Sequence, residues 1–123
     1  MLAVCCASCG NSYQADTARR EVIEMSAGHF AAIRATFDSS LLASFSVSDL
    51  RQAWGRLCPL GHYGGIESIS RGTSFPPGRL YPDVETVGVR CSNPYGGVLS
   101  QTSSHVLFAF NAKSQVAGLA FLS

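Results

Sequence analysis

Residues 46–61 read SVSDLRQAWGRLCPLG, and their reading fixes where helical structure gives way to strands. Ser46 stands as an N-cap, Asp49 three residues on reaches back as in a capping box, and Phe45 and Leu50 occupy the two positions of a hydrophobic staple. Val47, Leu50, Trp54 and Leu57 follow at intervals of 3, 4 and 3 residues, one apolar face of a helix. Pro59 and Gly61 then stop it.

Upstream, Ile23, Ala27, Phe30, Ile33 and Phe37 recur at helical spacing, so a first helix is expected from Asp16 to about Phe37. Gly28 inside it costs about 1 kcal/mol relative to Ala and marks a close approach or a kink. Downstream the period falls to two. Val87, Val89 and Cys91 alternate with Gly88 and Arg90, and Val106, Phe108 and Phe110 alternate with Leu107 and Ala109. A weaker strand is expected near Ile66–Ser70, and a last one over Val116–Leu122 after a turn at Asn111–Ser114. The Gly- and Pro-bearing stretches 59–65, 72–82 and 92–97 read as loops. Two helices followed by antiparallel strands make an α+β domain, with the helices packed on one face of a sheet of about four strands.

The chain has 123 residues, enough for one domain with a working core. Its 46% hydrophobic and 14% charged residues exclude a disordered tail, since an average globular protein carries roughly 25% charged residues. Net charge is +1 with no basic run, which disfavours nucleic acid as a partner, because phosphate binding needs a concentrated positive face. No apolar run reaches the roughly 20 residues that a spanning helix needs, so any membrane contact is expected through a lipid anchor alone.

Phe30, Phe37-Asp38, the run Ser48-Asp49-Leu50-Arg51-Gln52-Ala53-Trp54 with Gly61 after it, and the closing Phe110-Asn111-Ala112 and Val116-Ala117-Gly118-Leu119 carry a resemblance. They are similar to the bacterial domain of unknown function 3887 family, within the nuclear transport factor 2-like (cystatin-like) superfamily. It covers roughly residues 16–122, within a domain taken as residues 16–123. The resemblance implies a cone in which a curved antiparallel sheet wraps the helices. It also implies a small domain often found in exported proteins or beside hydrolase domains. It transfers no catalytic residues; the superfamily holds isomerases and dehydratases as well as binding and dimerisation modules.

Cys5, Cys6 and Cys9 crowd residues 1–15. A zinc site is disfavoured because a second ligand pair is missing, with Cys58, Cys91, His29, His62 and His105 all isolated. A redox pair Cys6-x-x-Cys9 lacks the strand that normally precedes one. The third reading is a truncated lipoprotein signal. Cys6-Ala7-Ser8-Cys9 supplies the small pair and the cysteine, and Gly10-Asn11-Ser12 a polar tether, making Cys9 the lipidation candidate with Cys5 as the alternative. Cys6 stands where Leu is usual, and the basic and apolar parts of a signal are almost absent, so the expectation includes a start upstream of Met1. Its bland counterpart is a frayed terminus. Cys58 ends the second helix while Cys91 shares a strand face with Val87 and Val89. The two either form a disulfide across the helix–sheet interface or remain inert buried thiols.

For chemistry, the sequence offers no nucleophile elbow, phosphate-binding glycine loop or His-Glu motif. His29 reads as a partly exposed helix residue, His62 and His105 as surface groups, and Asp38 as a helix-end carboxylate. Neither a metal nor a cofactor is implied. The function expected is a noncatalytic envelope-associated or secreted module for a small apolar ligand or a protein partner, with Phe30, Trp54, Phe108 and Phe110 as pocket candidates. Apolar residues on both faces of Val106–Phe110 make a homodimer through the sheet face a further expectation. The alternatives are a small cone-fold isomerase or dehydratase, or a cytoplasmic accessory domain.

Overall fold

The computed structural model describes residues 6–59, 61–92 and 101–123, with side chains from Tyr13 in the first helix and from Ser104 in the third strand. The helical segments are α1 (Cys6–Ser26), α2 (Phe30–Ile33, continued as a 3-10 turn over Arg34–Thr36), α3 (Ser39–Ser44) and α4 (Val47–Leu57). The strands β1 (Tyr63–Phe75), β2 (Arg79–Ser92), β3 (Gln101–Phe110) and β4 (Val116–Leu122) form one antiparallel sheet in the order β1-β2-β3-β4. Helices first, then a four-stranded meander: the fold is α+β.

The helical half is more divided than the two helices expected. Gly28 adopts φ +84°, the left-handed position that ends helices. His29 N–H donates to the Glu24 carbonyl at 2.8 Å and Gly28 N–H to the Met25 carbonyl at 3.0 Å, closing α1 in a Schellman arrangement. The apolar stripe of α1 is therefore Ala18, Val22 and Met25, all buried, whereas Ile23 is exposed. α1 begins at Cys6, so Cys9 and Gly10-Asn11-Ser12 lie on helical backbone; Cys5 lies outside the described residues. Asp38, read from the sequence as a helix-end carboxylate, is the N-cap of α3, its Oδ1 accepting from Leu41 N–H at 2.9 Å.

α4 follows its local signals closely. Ser46 Oγ accepts from Asp49 N–H and Asp49 Oδ2 accepts from Ser46 N–H, each at 3.0 Å. Hydrogen bonding from the Ser46 backbone N–H, and secondly from the Ser46 hydroxyl, holds the exposed Asp49 carboxyl below its ordinary range. Ser46→Ala should cost about 1 kcal/mol, the usual worth of a cap. A thermal melt lowered by a few degrees, with the Asp49 titration returning towards its ordinary range in an NMR pH series, checks it. Leu50, Trp54 and Leu57 are buried against the sheet, and the Cys58–Cys91 disulfide joins the end of α4 to β2 with a Cα–Cα distance of 5.4 Å.

The inner face of the sheet carries Val87, Val89 and Cys91 from β2 and Val106, Phe108 and Phe110 from β3, all buried in the main core with Phe30, Ile33 and Phe37. At the other edge, a bridge between Phe37 and Val116, with Asp38 N–H donating to the Val116 carbonyl at 2.9 Å, ties the helices to β4.

The segment 72–82 is no loop. β1 and β2 run through it to a tight turn, where Gly78 N–H donates to the Phe75 carbonyl at 2.9 Å and Gly78 takes φ +127°. Between the pairs Gly72↔Val84 and Ser74↔Leu80 the register slips, so Tyr81-Pro82-Asp83 bulge, and Pro82 falls where the ladder is broken and no donor is needed. The bulge turns the hairpin end over the outer face. Phe75 belongs to the edge strand β1, yet its ring abuts Gly118 of β4, two strands beyond β2; any Cβ at Gly118 would stand 3.1 Å from that ring. With strands spaced about 4.8 Å apart, only a folded-over hairpin can reach that far. Phe75 and Tyr81 thereby cover Val84, Leu107, Ala109 and Ala120. The apolar surplus of β3 that motivated a homodimer is met inside the chain: Leu107 is 7% and Ala109 0% exposed.

Candidate functional site

An open cleft of about 400 Å³ lies between the end of α1, the start of α2 and α4. It exists because three glycines leave room together. The left-handed stop at Gly28 swings α2 away from α1, Gly61 at φ +82° turns the chain into β1, and Gly55 presents no side chain from α4. A Cβ at any of the three would meet nothing within 4 Å.

The walls are apolar. Met25, Phe30, Trp54 and Cys58 line it from the core, joined by Pro59 and the half-buried Tyr63. The rings of Trp54 and Tyr63 sit 5.8 Å apart at 55°, and the Arg51 guanidinium lies over the Phe30 ring, 5.5 Å from its centroid. Burial pushes the Tyr63 phenol above its ordinary range, against the opposite pull of its hydrogen bond with Ser26. The phenol is therefore neutral at physiological pH. Arg51 is the charged side chain among those lining the cleft.

Of the sequence candidates, Phe30 and Trp54 meet in this cleft, while Phe108 and Phe110 are fully buried and fill the core beneath the helices. Cys58 and Cys91 are bonded. The histidines lie elsewhere: His29 Nδ1 meets Glu24 Oε1 at 2.8 Å on the surface, His62 Nδ1 meets Ser92 Oγ at 2.9 Å, and His105 is half-buried on β3. Among the described residues no three His, Cys, Asp or Glu side chains gather as a metal site, and no helix is long and apolar enough to cross a membrane. No family model, no curated protein and no solved structure matches this chain.

Met25, Gly55 and Tyr63 are cleft residues that sequence reasoning missed. Gly55 carries the one usable signal, a glycine inside a helix beside the chain's single tryptophan.

Three buried carboxylates stand apart from the cleft. Glu21 on α1 is 1% exposed; the Thr36 hydroxyl donates to its Oε2, and Oε1 has no hydrogen-bond partner among the described residues. Burial pushes its carboxyl up to about 7, with Thr36 and Arg20 pulling the other way. On the core-facing side of β2, Arg71 Nε reaches Glu85 Oε2 at 2.9 Å and Asp83 Oδ1 at 3.1 Å. Burial and the neighbouring Asp83 raise the Glu85 carboxyl, partly offset by Arg71. One guanidinium balances only one of the two carboxylate charges, and the raised Glu85 carboxyl reflects the burial of the charge left over.

Proposed function

We propose that this domain is a noncatalytic binding module that takes a small apolar ligand in the cleft between α1, α2 and α4. The observation that carries the reading is the cleft itself. It is an apolar, aromatic-walled depression of about 400 Å³, built on helices and pinned beneath by a disulfide at Cys58. The other hollows support it less. One beside Phe45 and Phe121 is smaller, at about 290 Å³, and a wide one of about 520 Å³ by Asp38 and Asn111–Gln115 is lined mainly by polar residues. A binding role is favoured over an isomerase or dehydratase because the two-carboxylate pair lies with Arg71, outside the cleft lining.

The resemblance to the domain of unknown function 3887 family and the wider cystatin-like superfamily belongs to the same proposal, supported by the order of helices and then a four-stranded meander. So does an envelope or secreted location with Cys9, or Cys5, bearing a lipid. Its support is the Cys58–Cys91 bond, since disulfides persist in oxidising compartments and are rare in the cytosol.

Trp54 is the chain's single tryptophan and lines the cleft, so its emission reports occupancy. Titration with 1-octanol should give a saturable change in the parent chain. Gly55→Leu adds a side chain into open space while replacing a poor helix former with a good one, so it should fold at least as stably and lose most of the response. A parent chain that never saturates, or a Gly55→Leu variant that binds as the parent does, overturns the reading.

A further inference from the structure

We infer that the ligand is a small carboxylic acid, its apolar body against Phe30, Trp54 and Met25 and its carboxylate at the Arg51 guanidinium. This rests on the binding reading above and names its ligand class. Arg51 is the charged group lining the cleft, and no acidic side chain lines it. Among the described residues Arg51 forms no ion pair, whereas Glu24, on the helix flanking the cleft, is engaged by His29 at 2.8 Å. Its contact is with the Phe30 ring. A guanidinium held over a ring keeps its N–H donors directed outward in its own plane, the fork that receives a carboxylate through two parallel hydrogen bonds.

The division of labour follows from exposure. A cation at a solvated rim adds modest affinity by itself, so the apolar wall supplies most of the binding and Arg51 discriminates between an anionic and a neutral head. Taking ~30 Å³ for a water-sized unit, the cleft of about 400 Å³ accepts on the order of a dozen non-hydrogen atoms. That is the size of a medium-chain or single-ring acid.

Octanoate and 1-octanol share a chain length and differ in the head, so they separate the two interactions. Each is titrated into the parent chain, Arg51→Gln and Arg51→Lys, following Trp54 emission, with circular dichroism melts showing that the variants fold. Arg51→Gln should raise the octanoate Kd about fivefold. The octanol Kd should move by less than about twofold, and Arg51→Lys, which keeps the charge but loses the planar fork and the ring contact, should fall between the parent chain and Arg51→Gln for octanoate. If Arg51→Gln weakens both probes alike, or leaves octanoate unchanged, the carboxylate inference falls while the cleft reading stands. If neither probe saturates in the parent chain, the cleft reading falls and this inference with it.

Discussion

Replacing Cys58 and Cys91 together by alanine should lower the thermal midpoint by roughly 10–20 °C. The bond closes a sequence separation of 33 residues, and in the chain-entropy model a loop of that size stabilises the folded state by roughly 3–4 kcal/mol. Both cysteines are 1% exposed, so the alanines leave small gaps that add to the loss rather than offset it. The backbone bond at that point survives, because Cys58 N–H still donates to the Trp54 carbonyl at 2.7 Å. Calorimetry of three samples decides it: the parent chain, the parent chain with reductant, and the double variant. The last two should melt close together and well below the first. A double variant melting within about 3 °C of the parent would mean that the cross-link adds almost nothing. The same samples bear on the cleft, since Cys58 lines it; a loosened α4 should weaken octanol binding in the variant even where it remains folded.

How far the sequence discloses this structure depends on the range over which each element is determined. α4 is legible to the residue because its cap is made by groups three positions apart. The α1–α2 break is not. The Ile23–Phe37 periodicity continues smoothly across Gly28, and only the left-handed backbone there shows that two faces of different helices have been joined into one stripe. The hairpin end is obscured in the sequence for a similar reason. Pro76-Pro77-Gly78 signals a turn, and the signal spread over its neighbours, although the flanking residues pair across β1 and β2 right up to Phe75↔Arg79.

The site divides along the same line. Phe30 and Trp54 are recoverable because each begins or carries a helix stripe. The placement of Phe108 and Phe110 away from the cleft depends on which side of the sheet the helices cover. Alternation gives two faces and cannot assign either, and in β3 both are apolar. The outer one is covered by Phe75, an aromatic in a stretch taken for a loop. Glu21 and Glu85 were invisible as buried groups because a carboxylate defaults to solvent unless a partner is known, and the partners Thr36 and Arg71 lie 15 and 14 residues away.

Those buried acids give the second large effect: the unfolding free energy should fall as pH rises from about 5 to about 8. Glu21 has a folded value of about 7 against 4.5 for the free side chain. Below 4.5 both states hold the proton, and the group adds no pH dependence. Between 4.5 and 7 the unfolded chain releases a proton that the folded chain retains, so unfolding gains about 1.4 kcal/mol per pH unit. Above 7 the penalty levels off, on the order of 3 kcal/mol for this group. Glu85 acts in the same direction, sharing its effect with Asp83 and Arg71. Asp49 acts oppositely and at lower pH, because its depressed value gives stability that is lost on acidification. Stability should therefore peak near pH 5. Urea unfolding at half-unit intervals from pH 4 to 8.5 gives the slope, and Glu21→Gln gives its source. The amide carbonyl still accepts from Thr36 and never ionises, so this variant should flatten much of the decline and stand above the parent chain at pH 8. An unchanged slope in Glu21→Gln would remove Glu21 as the origin and leave the Asp83–Glu85–Arg71 cluster to account for it. Glu85→Gln tests that cluster by the same measurement.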